Sequence, residues 1–156
     1  AGEAEIAREK MGEALRYVDI PGMISESLLD DIADTLDARA VRHKRDADVL
    51  LEVDILEYGI EATSGSGNVE MFMKLNACLF HRSENEIVWQ RRVSVSEEIT
   101  PGLFGFNEVL GSAATIAGLN SLSEEELAEG FERMAREITR ETVRKLQKDL
   151  REAWRE

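Results

Sequence analysis

Between residues 48 and 96 the chain spells out successive runs whose side chains alternate in polarity, and this pattern constrains the fold more than any other feature. In the first run Leu51, Val53 and Ile55 fall on one side of an extended chain, and Glu52 and Asp54 on the other. That period of two marks a half-buried strand. In the second run Val69, Met71, Met73, Leu75, Ala77 and Leu79 share a side. Its opposite side carries Glu70, Lys74 and Asn76 together with Phe72, Cys78 and Phe80. The third run places Ile87, Trp89, Val93 and Val95 on one side, with Arg91 among them. The joining segments, 61–68 and 81–86, are short and polar, so the spacing predicts an antiparallel meander of hairpins. A sheet with one apolar face needs a cover.

The flanking sequence supplies that cover. Ile24, Leu28, Ile32 and Leu36 recur at every fourth residue, with acids on the other faces, which predicts an amphipathic helix. Arg39, Arg42, His43, Lys44 and Arg45 follow and read as its C-terminal turn, where cations complement the helix dipole. Segment 17–20 reads as a short strand or a helix exit, and Pro21-Gly22 as punctuation. Residues 3–16 suggest a thin-striped helix. Ser123 and Glu126 form a capping box. From Leu127 to Trp154 apolar residues then recur at spacings of three and four, giving one long helix on the order of 45 Å at 1.5 Å per residue. The expected fold class is therefore α+β. It has two layers: an antiparallel sheet of three to four strands, with two main helices packed on one face.

A chain of 156 residues is long enough for one domain with its own core. Within it, 1–20 forms an N-terminal extension, 102–122 an apolar segment and 123–155 the long helix. The net charge of −13 disfavours nucleic acid as a partner. His43 and His81 stand in no ligand spacing, so no metal and no cofactor is expected. Cys78 reads as a buried small hydrophobe without a base beside it. Ser64-Gly65-Ser66-Gly67 precedes a strand rather than a helix, so it reads as a hairpin loop and not as a phosphate cradle. No catalytic residue emerges, and the expectation is a protein that is not an enzyme. A start at Ala1 is compatible with a removed leader.

Segment 102–122 holds four glycines and one charge, Glu108. Two readings stay open: a helix and loop folded into the core, or a contact surface, since apolar patches with polar surroundings mark interaction sites. On the second, Phe104, Phe106, Val109, Leu110 and Ile116 are the candidate partner-contact residues. The strand opening DADVLLEVDILEYGI, and the hairpin VEMFMKLNACLFHRSENEIVWQRRVSVS with its aromatic Trp89, resemble small bacterial envelope lipoproteins. Those are the auxiliary lipoproteins of ABC-type transport systems and the curli-secretion and lipopolysaccharide-assembly lipoproteins. The resemblance implies a two-layer α/β domain without catalytic residues, placed in the periplasm or at the outer membrane. There it would bind or scaffold a transport or assembly partner. The expected partners are a protein or a second copy of the chain, with membrane-surface contact as a further expectation. The alternative is a small-ligand binder or an enzyme with a pocket between the sheet and segment 102–122.

Overall fold

The computed structural model describes residues 16, 18–62, 69–99 and 124–155. In chain order the elements are helix α1 (Ile20–Thr35), a short 3-10 helix (Lys44–Asp46), strands β1 (Val49–Ala62), β2 (Val69–His81) and β3 (Glu86–Ile99), and helix α2 (Glu124–Trp154). The strands form one antiparallel sheet in the order β1-β2-β3. Both helices cover the same face, so the α+β expectation holds, with three strands among the described residues.

The central strand shows why. Met71, Met73, Leu75, Ala77 and Leu79 are all buried on the helix side. They meet Ile24, Leu28 and Ile32 of α1 and Leu127, Phe131, Met134, Ile138 and Leu146 of α2. Burying one such side chain contributes about 1.5–3 kcal/mol, so this face dominates the stability. Tyr58 completes the layer by standing edge-on to Phe131, with ring centroids 6.2 Å apart, an arrangement that the ring quadrupoles favour. Thr139 and Thr142, buried in α2, return their hydroxyls to the carbonyls of Ala135 and Ile138 at 2.9 and 2.7 Å.

Two bulges set the faces of the edge strands, and simple alternation misses both. In β1 the register shifts between Ile55 and Glu57. The extra residue, Leu56, lets Tyr58 and Ile60 return to the core side. In β3 the register shifts opposite Leu79 and Phe80, so that Trp89 pairs with Leu79 and Ile87 with Phe80. Val88 is the extra residue, and Ile87 turns to the uncovered face instead of sharing a side with Trp89. Ile87 and Val88 are each 59% exposed. A single inserted residue reverses every side chain beyond it.

Helix α1 begins earlier and ends earlier than the sequence suggests. Asp19 is its N-cap and accepts from the Gly22 amide at 3.1 Å, with Pro21 in the first turn, where a missing N–H costs nothing. Pro21 therefore starts a helix and does not end an element. At the other end Ala38 N–H reaches Ala33 O at 2.8 Å and Asp37 N–H reaches Asp34 O at 3.2 Å. Asp37 sits at φ 52°. This is a Schellman closure, so Arg39 to His43 belong to a connecting loop, and Lys44 and Arg45 to the short 3-10 helix, not to the last turn of α1. Leu36 consequently leaves the stripe and is partly exposed. Ser123, the expected cap of α2, and residues 3–15 of the expected N-terminal helix lie outside the described residues; Arg16 is helical and exposed.

Candidate functional site

Beside the β1 edge the structure opens a cavity of about 780 Å³. One wall is the last half of α1, including Leu29 and Ala33, with Leu36 just past its end. The connecting loop, with Ala38, Ala40 and Val41, forms the floor. The other wall is β1 from Val49 to Val53, backed by Leu79 and Phe80 of β2. Leu51, Val53 and Leu79 belong to the covered face of the sheet, whereas Leu50, Glu52 and Phe80 belong to the uncovered one. The cavity therefore wraps around the strand edge and is a groove. Among the described residues β1 is paired on one side only. Its second row of backbone donors and acceptors faces this groove, a template for an added strand. Charges at the rim are mixed: Arg39, Arg42 and Lys44 lie along the loop, and Asp46, Asp48 and Glu52 lie nearer the strand.

Other polar contacts join the helix layer to the sheet. Trp89 Nε1 donates to Asp149 Oδ2 at 2.9 Å. Arg91 donates to the same carboxylate through Nε at 2.8 Å and Nη2 at 2.7 Å. The bidentate Arg91 guanidinium, and then the Trp89 indole, hold the Asp149 carboxyl down to about 2. Arg91, read in the sequence as an exception on an apolar strand face, is thus explained by an acid 58 residues away. Near the other end of the sheet Arg133 meets Glu97 at 3.4 Å.

Cys78 is buried on the sheet face opposite the helices, between Glu52 on β1 and Gln90 on β3. Burial, then the charges of Glu52 and Asp54, push its thiol up, which disfavours the nucleophilic thiolate. His43 is exposed at the entry to the 3-10 helix, and His81 Nδ1 lies 3.1 Å from Ser83 Oγ. Among the described residues no group of three or more His, Cys, Asp or Glu is placed to hold a metal ion. No helix there is long and apolar enough to cross a membrane. Phe104, Phe106, Val109, Leu110 and Ile116, the partner-contact residues expected from composition, lie outside the described residues, as does loop 63–68. The groove walls went unread because Leu29, Leu36 and Val49 look like ordinary members of amphipathic elements. Only their 37–39% exposure reveals them.

The fold and groove together define a two-layer α+β domain in which a strand edge, unpaired among the described residues, lines an apolar cleft. No protein-family model and no curated protein matches the chain. Among solved structures, a Xanthomonas campestris protein of the DUF330 family is similar at 20% identity and a TM-score of 0.42, over 83% of this chain. The chain spans 64% of that protein's length. A candidate lipoprotein from Caulobacter crescentus is similar at 16% identity and a TM-score of 0.33, covering 88% of this chain and 96% of the other.

Proposed function

We propose that this chain is a non-enzymatic binding domain of the bacterial cell envelope, whose groove receives an extended apolar segment of a transport or assembly partner. The observation that carries the reading is the groove's position around the edge of β1 that is unpaired among the described residues. A segment lying there gains backbone hydrogen bonds from the strand and side-chain contacts from α1 and the loop, the β-augmentation mode of peptide recognition. The envelope setting rests on the resemblance of residues 21–96 and the last helix to small envelope lipoproteins. The ordered polar trio Trp89, Arg91 and Asp149 is committed to joining helix and sheet, which fits a binding scaffold.

The test uses synthetic peptides of alternating valine and threonine, titrated into the isotope-labelled chain and followed by amide chemical shifts. Saturable shifts should concentrate in residues 49–53 and 36–41. Ala33→Arg, which places a long side chain in the groove, should abolish them while circular dichroism stays unchanged. Shifts centred elsewhere, or shifts that persist in Ala33→Arg, would overturn the assignment.

A further inference from the structure

A segment added to the β1 edge has the side chains of β1 as its nearest neighbours, with cross-strand Cβ atoms about 4.5–5.5 Å apart. Strand β1 contains no cation. On its helix side Leu51 and Val53 border the groove together with Leu29 and Ala33 of α1. On the uncovered side stand Glu52 and Asp54, both exposed. Successive side chains of an added strand point to opposite faces, so they meet an apolar surface and an acidic one in turn.

The sheet leaves these two acids without a counter-charge. Glu52 stands opposite Cys78 and Asp54 opposite Asn76. One strand further lie Gln90 and Arg92, about 10 Å from β1. Among the described residues neither carboxylate joins an ion pair. Glu57 provides the contrast. It lies on the same face beyond the bulge and meets Lys74 of β2 at 3.7 Å. Acid opposite lysine is thus the arrangement this face adopts where the neighbouring strand offers a cation.

Counted over the whole rim, formal charges balance, with Arg39, Arg42 and Lys44 against Asp46, Asp48 and Glu52. Net charge therefore selects no occupant, whereas position does. The cations belong to the chain before β1, which an added strand meets only at one end. Along β1 itself the added strand meets acids alone.

The same acids act against a second copy as occupant. Two β1 edges paired antiparallel about Leu50 set Asp48 against Glu52, and about Leu51 they set Asp48 against Asp54. Pairing about Glu52 sets it against its own copy, and about Val53 it sets Glu52 against Asp54. Every centre from Leu50 to Val53 opposes like charges, which destabilises a strand pair.

We propose, on the groove reading above, that the occupant is a basic amphipathic strand of a partner protein, with apolar residues toward α1 alternating with lysine or arginine over Glu52 and Asp54. In β-augmentation the backbone supplies affinity and alternate side chains supply specificity. Two opposite-charge cross-strand pairs together tighten binding by roughly two- to twenty-five-fold.

The experiment titrates three capped peptides, alternating valine with threonine, lysine or glutamate, into the isotope-labelled chain at low and high salt. Amide shifts of residues 49–53 give the affinities. The lysine peptide should bind more tightly than the threonine peptide by the factor above and the glutamate peptide more weakly, with the spread shrinking as salt rises. Glu52→Gln with Asp54→Asn should bring the lysine peptide to the affinity of the threonine peptide and leave the latter unchanged. Glu125→Gln with Glu129→Gln removes the same charge from exposed positions on α2 and should preserve the advantage of lysine. That comparison separates pairing at β1 from attraction to a chain of net charge −13. Urea midpoints of both variants verify that the fold is retained. Equal affinities of the three peptides, tighter binding of the glutamate peptide, or equal losses in the two double variants would overturn the basic-strand proposal while leaving the groove reading in place. If no peptide moves residues 49–53, the groove reading falls and the proposal falls with it.

Discussion

Asp149→Asn tests how the helix layer is fastened to the sheet. The wild-type carboxylate accepts three hydrogen bonds, from Trp89 Nε1 at 2.9 Å and Arg91 Nε and Nη2 at 2.8 and 2.7 Å. Its carboxyl lies at about 2, against an ordinary value of 3.8. At about 1.36 kcal/mol per pH unit, a depression of that size corresponds to roughly 2.5 kcal/mol. Arg91 is 45% exposed, so water screens the pair, and about 1–2 kcal/mol is the expected loss at neutral pH. The folded-state value is depressed, so the contribution is complete above the unfolded value near 4. It fades as pH falls through about 2, with roughly half gone near pH 3. Urea denaturation of wild type and Asp149→Asn at about pH 7 and pH 3 should show the gap between them narrowing on acidification. A gap that is absent at neutral pH, or unchanged at pH 3, would refute the reasoning. So would a double-mutant cycle with Arg91→Ala that shows no coupling.

Leu75→Ala, at a fully buried position, should cost about 2–5 kcal/mol through its cavity, and Leu56→Ala at the exposed bulge no more than about 0.5 kcal/mol. Chemical denaturation compares the two directly. Asp19→Ala should remove the cap on the Gly22 amide and lower stability by about 1 kcal/mol, read as a shift in the urea midpoint with unchanged slope. The thiol of Cys78 is raised by burial and by Glu52 and Asp54. Alkylation by iodoacetamide at mildly alkaline pH should therefore be slow in the native chain and fast in urea, and equal rates would contradict its placement.

Side-chain alternation made the sheet legible because β2 is covered on one face along its whole length, and Met71 through Leu79 sort themselves accordingly. The same rule failed at Ile87, since Val88 adds one residue to β3 and no local sequence signal marks the bulge. The stripe Ile24, Leu28 and Ile32 located α1, but its ends depended on backbone closure. Asp37 in a left-handed conformation stops the helix before the basic run, where composition alone suggests continuation. The groove was illegible for a different reason. It is made by the offset of α1 from the β1 edge, and relative placement of elements distant in sequence leaves no periodicity to read. Arg91 offered a clue, as a charge on an apolar face demands a partner, yet nothing local named Asp149.

The hairpins pair strands that are neighbours in the chain, whereas the layer above them joins α1 to α2 across the whole sheet. Local pairings form early and distant ones late. During synthesis the sheet is complete once Ile99 has emerged, but its second cover arrives only after about 55 more residues. At ribosomal rates of about 5–20 residues per second this interval lasts roughly 3–11 s. Throughout it Met71, Met73 and Leu75 face outward beside an open strand edge. A nascent chain in that condition is a substrate for holding chaperones and for self-association. Variants that delay α2, without altering any finished contact, should lower the yield of folded protein more than its stability.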